Sequence, residues 1–519
     1  MFKNSKDPVN ECCNRSALIV AGVFVISFLL RIYGLGAKDF WFDEIHSVSL
    51  AIYPWNNWNA PLYWIVLHFW VKAFGVSEFC LRLPSMLFSF LATVIVFMLG
   101  KELFDKKTAI LATLLIGLSS FHLWYAQEAR DYSMVLLLGT VSSYLLLIAT
   151  KKSTFKRWLW FSIVSSAGIY TNYFYIFLIS AQALYALSLT RYRANKAWWC
   201  FLFIAGISGF YLPRFISKLM FVSQGFWLKK PDWQSLNITL QNYVLGYNGT
   251  AVLYALSSLL TVIIFMILFA VVMKKRDMRR SVYFCGLLLF IPLALVFLFS
   301  KLFFSVYLSR GLLLFSPYFY LLLSCAVMGL SRGIRAVAAG VLISIFLCGT
   351  WLYFYGYIYP PGRYHSGACL KKPVRPLAGY LDNNVRSGDL VAFTNVSVMP
   401  GLNFYSKRMI PQYYLFSPQV LNSDWQRPVT ETRFCVPIHK IGGLAFKRIW
   451  VICLDWERSG KLDENSVAVK RSLDSDLKLL FEGYLDGLWV YCYERNSSGK
   501  GVPVDHARSA LREYRLNNS

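Results

Sequence analysis

Two pairs of carboxylates stand beside long apolar segments of the sequence, where they could act as general bases or bind polar ligands. Asp43 and Glu44 follow the first apolar segment, and Glu128 and Asp131 lie at the start of the fourth. Because a charge at a membrane boundary is costly to bury, such groups often mark a functional site. Each pair also has a structural alternative. Asp43 could cap a helix that starts at Glu44, and the second pair could form a local ion pair at a helix end.

Three arginines lie close to the same segments. Arg82 opens the second apolar segment, Arg310 opens the tenth, and Arg130 stands between the carboxylates of the second pair. A guanidinium group suits phosphate because it offers two parallel hydrogen-bond donors. The alternatives are snorkelling to lipid headgroups for Arg82 and Arg310, and ion pairing with Glu128 or Asp131 for Arg130.

The composition identifies the scaffold that must position these residues as a membrane domain. Of the 519 residues, 56% are apolar and only 15% are charged, whereas soluble proteins contain about 25% charged residues. Recurring apolar segments exclude a single soluble globule, a disordered chain and a nucleic-acid-binding module. The net charge of +26 does not indicate DNA binding, because most of the excess lies between apolar segments.

We expect an all-α membrane domain in residues 1–358, with about eleven transmembrane helices. The expected spans are 16–36, 79–100, 107–125, 131–150, 157–171, 173–190, 197–216, 251–273, 281–300, 311–330 and 335–357. The aromatic loop after the first span contains the apolar segment Leu62–Phe74. This segment is too short to span a bilayer and is predicted to form an interfacial helix.

Basic residues between the spans predict the orientation. Residues 1–359 contain 31 Lys and Arg, of which 20 fall in six short segments on one side of the membrane. The positive-inside rule makes that side cytoplasmic, so the N-terminus is expected inside and the C-terminal domain outside the inner or plasma membrane. The carboxylates and arginines above then meet the outer face. We expect Asp39 and Asp232 to be solvated loop residues.

Residues 359–519 are predicted to form a small extracytoplasmic α/β domain. Val374–Val385 has the pattern of a helix, and short apolar runs such as Asp389–Thr394, Arg448–Leu454 and Leu488–Tyr493 have the pattern of buried strands. Four cysteines of this part could form two disulfides or remain reduced, and none has metal-binding spacing: Cys369, Cys435, Cys453 and Cys492.

Five motifs in a fixed order give the sequence a family resemblance. They are Trp41–Glu44, Pro61–Trp64, Ser77–Phe79, Leu81–Ser85 and Leu123–Tyr132. In these motifs the sequence resembles the glycosyltransferase C superfamily, in the branch of protein O-mannosyltransferases and the lipid A aminoarabinose transferase. It is most similar to the bacterial family 39-like members of unassigned substrate. The resemblance covers roughly residues 17–330 and continues more weakly into the α/β domain.

The resemblance implies the GT-C fold and an integral membrane glycosyltransferase. Such an enzyme moves a hexosyl or pentosyl group from a polyprenyl-phosphate donor to a lipid, glycan or protein acceptor at the outer face. Asp43 is then the general base, with inversion of the anomeric centre, and Glu44 orients the site or contacts the acceptor. The implied ligands of the donor phosphate are Arg82, Arg310 and Arg130. The implied sugar-binding or acceptor-binding residues are Glu128, Asp131, Asn59 and Tyr63.

Two positions depart from the family pattern. Many relatives carry Lys or His where Asn59 stands, so a positive charge is missing there, and His68 either compensates or is a lone interfacial histidine. Relatives often have His where Asn172 stands. We expect the surrounding segment Tyr170–Tyr175 to belong to an interfacial aromatic belt.

No cofactor is expected, because a lipid donor needs neither a nucleotide loop nor an outer acidic cluster, although a divalent metal stays open. Two other functions compete with transfer. A flippase or transporter for lipid-linked sugars should carry polar residues near mid-span and broken helices in related halves. A non-catalytic partner in cell-envelope assembly should tolerate Asp43→Asn. The charges gather at span ends and no repeat is evident, which favours the transferase.

Overall fold

The computed structural model describes residues 8–54, 60–188, 191–223, 228–274, 276–356, 371–418, 420, 435–455 and 460–495. Asn59 and the predicted domain boundary at residues 358 and 359 lie outside this set. The chain divides into two compact units. One, called the helical unit here, contains Met1–Leu35, Leu50–Ser223 and Leu228–Ala368. The other, called the α/β unit, contains Gly36–Ser49 and Cys369–Ser519.

The apolar segments fold as helices, since a backbone in lipid must satisfy its polar groups internally. The helices up to residue 356 are α1 (Pro8–Ile32), α2 (Phe42–Ile52), α3 (Leu62–Phe74), α4 (Glu78–Leu103), α5 (Lys106–Leu118), α6 (Ser120–Ala126), α7 (Tyr132–Lys151), α8 (Phe155–Ile169), α9 (Tyr175–Leu187), α10 (Arg191–Gly209), α11 (Leu212–Ser223), α12 (Trp233–Leu245), α13 (Ala251–Lys274), α14 (Arg279–Leu302), α15 (Ser309–Leu312), α16 (Ser316–Met328) and α17 (Arg332–Tyr355).

Each of the eleven predicted spans corresponds to a helix or a pair of helices, so the chain is a multi-pass membrane protein. Among the described residues, six helices are long and apolar enough to cross a membrane, or eight if each of two bent pairs is one crossing. The described apolar parts of α1, α8 and α9 are shorter. Eleven crossings therefore stay a prediction. Helix α3 has the bounds expected of the interfacial helix.

The two bent pairs divide predicted spans that we expected to be continuous. Helices α5 and α6 meet at 60°, because Ser119 is extended and its hydroxyl accepts a hydrogen bond from the His122 backbone N–H as a new helix cap. The described parts of α10 and α11 meet at 70°. There Pro213 has no N–H and its ring would clash with the carbonyl of Gly209 in a continuous helix.

A buried arginine stabilises the first of these bends. The Arg31 side chain of α1 is fully buried, and its guanidinium group donates to the carbonyls of Ile116 and Gly117 at the end of α5. Those carbonyls lose their helical partners where the chain turns. The hydroxyls of Ser27, Ser89 and Thr93 accept the remaining Arg31 hydrogen bonds. Arg31 thus ties α1 and α4 to the broken helix.

The α/β unit is a mixed sheet with helices. Its helices are α18 (Val374–Asn384), α19 (Met399–Tyr405) and α20 (Glu464–Asp476). Its strands are β1 (Leu390–Phe393), β2 (Gln412–Phe416), β3 (Cys435–Pro437), β4 (Arg448–Leu454), β5 (Leu477–Leu485) and β6 (Leu488–Arg495). The strand order is β3-β2-β1-β4-β6-β5, with β1 parallel to β2 and β4, and β6 antiparallel to β4 and β5.

The predicted small α/β domain is therefore present, with a helix and strands at the predicted segments. Strands β2, β3 and β5 and helix α20 carry no clear sequence signal. Cys453 and Cys492 are buried free thiols, and burial raises the pKa of each to about 12. Cys369 lies outside the described residues.

Candidate functional site

A tight turn between α6 and α7 carries the second pair of carboxylates. We expected a helix to start near Glu128, but α7 begins at Tyr132. The Arg130 backbone N–H instead donates to the Glu128 carbonyl over 2.8 Å, which holds the segment as a turn. Both Glu128 and Asp131 are buried. The turn thus brings two carboxylates and a guanidinium group to one end of α7.

Arg130 meets a second arginine from a distant part of the sequence. The Arg130 guanidinium lies 5.8 Å from the centre of the Tyr132 ring, and the Arg310 guanidinium lies 5.7 Å from it. Arg130 also lies 5.3 Å from the Trp64 ring centre. These are cation–π distances. We call Glu128, Arg130, Asp131 and Arg310 the charged cluster.

Asp131 is the buried carboxylate at the centre of this cluster. It precedes the apolar span Tyr132–Lys151, and its carboxylate accepts a 2.8 Å hydrogen bond from the Asn172 side-chain amide. Burial raises the pKa of Asp131, while Arg130, the Asn172 hydrogen bond and Arg310 oppose that rise. Asp131 is therefore poised between a charge-pairing and a proton-binding role.

Glu128 and Arg310 also face a pair of tyrosines. The Glu128 carboxylate accepts a 3.0 Å hydrogen bond from the Trp124 indole. The hydroxyls of Tyr125 and Tyr247 lie 2.5 Å apart, and both lie within electrostatic range of Glu128 and Arg310. The charged cluster thus adjoins two buried hydroxyls that can donate to a ligand or accept from it.

The 170–174 loop joins four parts of the helical unit. Its Tyr170 carbonyl accepts from the Leu62 backbone N–H over 2.9 Å, and its Asn172 side chain binds Asp131. Its Tyr173 ring stacks on Tyr211 with 6.1 Å between ring centres. Its Phe174 ring packs so closely on Gly311 that a Cβ there would lie 2.4 Å from it. The segment we expected to be an aromatic belt is therefore a connector of the charged cluster.

Tyr63 is coupled to the turn through one hydroxyl. Its side chain is fully buried, and its hydroxyl lies 2.9 Å from that of Ser85, which in turn donates to the Arg130 carbonyl over 3.0 Å. Arg82 is also buried, and its guanidinium donates to the Leu35 carbonyl over 2.9 Å. Burial of Arg82 does not fit snorkelling to headgroups.

Lys218 of α11 is a residue of this region that the sequence reasoning missed. It lies within electrostatic range of Arg130, and its ammonium group is 5.5 Å from the Phe221 ring centre. The available signal was its spacing of four from Arg214, which indicates a cationic face on an apolar helix. We missed it because the predicted span ended at residue 216.

The first pair of carboxylates belongs to the α/β unit. Helix α2 starts at Phe42, so Asp43 and Glu44 lie in its first turn and Asp43 is not the cap. Asp43 is half-buried. Glu44 is fully buried, and its carboxylate lies 3.0 Å from the Lys371 ammonium group. The adjacent acids therefore have different environments, and Asp43 is the more accessible of the two.

The two acidic residues expected to be loop residues have structural partners. Asp39 accepts a hydrogen bond from the Arg375 backbone N–H over 2.9 Å. Asp232 caps α12 together with Ser235. His68 shares a 2.6 Å hydrogen bond with the Ala51 carbonyl. Among the described residues, no group of three or more His, Cys, Asp or Glu could hold a metal ion.

Comparison with known proteins adds a family and a fold. The family model for dolichyl-phosphate-mannose-protein mannosyltransferase matches residues 59–212. ArnT from Cupriavidus metallidurans in the apo state matches with a TM-score of 0.60 and 12% identity, over 93% of this chain and 98% of that chain. ArnT bound to undecaprenyl phosphate also gives 0.60 and 12%, over 92% and 97%. No curated relative matches at the level of sequence.

The chain resembles the mannosyltransferase and ArnT branch of the glycosyltransferase C superfamily. The family model covers Arg82, the turn with Arg130 and Asp131, and Asn172. It does not extend to Asp43 or to Arg310, whose membership of the site rests on the geometry above. The fold match to this superfamily extends over nearly the whole chain, including the α/β unit.

Proposed function

We propose that this protein is a membrane glycosyltransferase that moves a sugar from a polyprenyl-phosphate donor to an acceptor hydroxyl. The charged cluster carries the proposal. Arg130 and Arg310 lie near one tyrosine ring beside Asp131 and Glu128, in a fold shared with ArnT. Two guanidinium groups suit a phosphate that gains negative charge as the sugar leaves. The buried carboxylates suit sugar hydroxyls.

In the proposed reaction Asp43 takes the proton of the acceptor hydroxyl. The acceptor oxygen then forms a bond to the anomeric carbon while the bond from that carbon to the phosphate oxygen breaks. Polyprenyl phosphate leaves with the bonding electrons, and attack from the opposite side inverts the anomeric centre. Half-burial of Asp43 in the first turn of α2 favours this residue over Glu44, whose carboxylate is paired with Lys371.

The other arginine has a different role in the proposal. Because Arg82 is buried and donates to the Leu35 carbonyl, it positions the end of the segment that follows α1. Arg130 and Arg310 bind the donor phosphate. Tyr63 supports the turn through Ser85 and the Arg130 carbonyl.

The proposed orientation follows the basic loops of the sequence. The N-terminus lies in the cytoplasm of a cell with this protein in its inner or plasma membrane, and the α/β unit lies outside. The acceptor is then an extracytoplasmic lipid, glycan or protein. An acceptor outside the cell also explains the choice of a lipid donor, since nucleotide sugars are confined to the cytoplasm.

The test compares lipids of cells that lack the gene and express the wild type, Asp43→Asn or Asp232→Asn at equal protein level. Asp232→Asn is the matched control, because Asn caps a helix as well as Asp does. Loss of a general base costs about 10²–10⁴-fold in rate. We expect a polyprenyl-phosphate sugar to accumulate in the null and Asp43→Asn cells only. Its mass, read by mass spectrometry, gives the sugar class.

The two competing functions predict other results. Full rescue by Asp43→Asn removes Asp43 as the base and favours a non-catalytic assembly partner. If the null cells accumulate the lipid-linked sugar on the cytoplasmic side alone, shown by its protection from a membrane-impermeant oxidant, the protein moves the lipid instead of the sugar.

A further inference from the structure

Helix α11 combines a cationic face with an apolar groove. The groove has a volume of about 310 Å³ and is lined by Leu212, Phe215, Ile216, Leu219, Met220 and Ser223 of α11 together with Phe304. Arg214 and Lys218 are spaced to share one face of the same helix. A long apolar chain with one anionic end is complementary to this pair of features.

Lys218 is the cation of α11 that faces the charged cluster. It is half-buried and lies within electrostatic range of Arg130, so two positive charges stand together at a cost in Coulomb energy. No carboxylate or other hydrogen-bond acceptor contacts Lys218 within the part of the chain that the structure describes. An anion between Lys218 and Arg130 would convert this repulsion into two attractions.

The position of α11 is fixed from the same side. Tyr173 of the 170–174 loop stacks on Tyr211 just before α11, and its ring lies 5.1 Å from that of Phe215. Asn172, the preceding residue, binds Asp131. One loop therefore holds both α11 and the charged cluster, which keeps Lys218 in register with Arg130.

We propose that Lys218 and Arg130 together bind the phosphate of a polyprenyl phosphate whose hydrocarbon chain lies in the α11 groove. This inference rests on the proposed function. It also accounts for the neutral Asn59, because Lys218 supplies from α11 the positive charge that related sequences place before the Pro61–Trp64 motif. His68 is not needed for it, since that ring already binds the Ala51 carbonyl.

The test measures binding of a polyprenyl phosphate to the purified full-length protein in detergent. The variants are Lys218→Met, Lys218→Arg and the matched control Lys72→Met, which removes an exposed lysine of α3. The same chain as a free polyprenol, without phosphate, is the second ligand, and inorganic phosphate is the third. We expect Lys218→Met to weaken polyprenyl phosphate binding about 10-fold or more, because hydrogen bonds to charged groups contribute that much.

We expect Lys218→Arg and Lys72→Met to bind within about 3-fold of the wild type, and Lys218→Met to leave polyprenol binding unchanged. Wild-type affinity from Lys218→Met overturns the inference, and so does equal weakening for polyprenol, which would assign Lys218 to the fold. Inorganic phosphate binding as tightly as the lipid overturns the role of the groove. A wild-type protein that binds no polyprenyl phosphate overturns the proposed function itself.

Discussion

Gly311 offers a direct test of the connector role of the 170–174 loop. A Cβ at this position would lie 2.4, 2.5 and 2.6 Å from three carbons of the Phe174 ring. Ordinary van der Waals contact begins at about 3.4 Å, so the ring of a Gly311→Ala variant must move by about 1 Å. The ring belongs to the loop whose Asn172 holds Asp131, and Gly311 itself adjoins Arg310.

The expected loss can be stated for both stability and activity. Overpacking of this kind costs about 1–3 kcal/mol. A displacement of about 1 Å at a reacting site can reduce the rate by about 10²-fold. We therefore expect Gly311→Ala to lower the thermal stability of the purified protein modestly and the transferase activity strongly. Activity is measured as the drop in polyprenyl-phosphate sugar that each variant restores to the null cells.

Two further variants decide whether the ring is the cause. Gly340→Ala adds the same methyl group to α17, where it meets no atom within 4 Å, and should behave as the wild type. Gly311→Ala combined with Phe174→Leu removes the clashing ring atoms and should regain most of the loss. Wild-type stability and activity in Gly311→Ala, or no recovery in the double variant, would refute the reasoning.

Two more predictions concern the α/β unit. Lys371→Met removes the cation 3.0 Å from the fully buried Glu44 and should cost about 3 kcal/mol of stability, measured by thermal unfolding. Most of it should return when Glu44→Gln is added, and no return would contradict a coupled pair. Burial alone raises the pKa of Asp389, but hydrogen bonds from Arg448, the Arg386 N–H and Trp450 bring it below its usual value. This carboxylate then adds stability above about pH 4 that is lost as the pH falls further. Asp389→Asn should flatten the acid side of a melting curve series, and an unchanged slope would count against it.

Much of the architecture could be predicted because its cause is local. Residues in a long apolar segment must form helices in lipid, so all eleven predicted spans are helical. The same holds for Leu62–Phe74, whose bounds are reproduced, and for the strand at Arg448–Leu454. The bends were harder, because Ser119 and Pro213 are small local signals inside strongly apolar runs.

The site was predicted as residue types and only in part as an arrangement. The sequence by itself determined that Glu128, Arg130 and Asp131 stand together, because they are neighbours in the chain. Only the tertiary structure placed Arg310, 180 residues away, beside the same Tyr132 ring. It also reassigned the 170–174 loop from an aromatic belt to a connector, and it set Lys218 near Arg130.

The physical reason is the range of each interaction. Hydropathy and helix caps act over a few residues, so composition and spacing determined the membrane class, the helices and the candidate acids and arginines. Contacts between Arg130 and Lys218, between Asp131 and Asn172, and between Glu44 and Lys371 form when distant segments pack together. Packing thus decided which of the predicted charges are buried, which are paired, and which can meet a ligand.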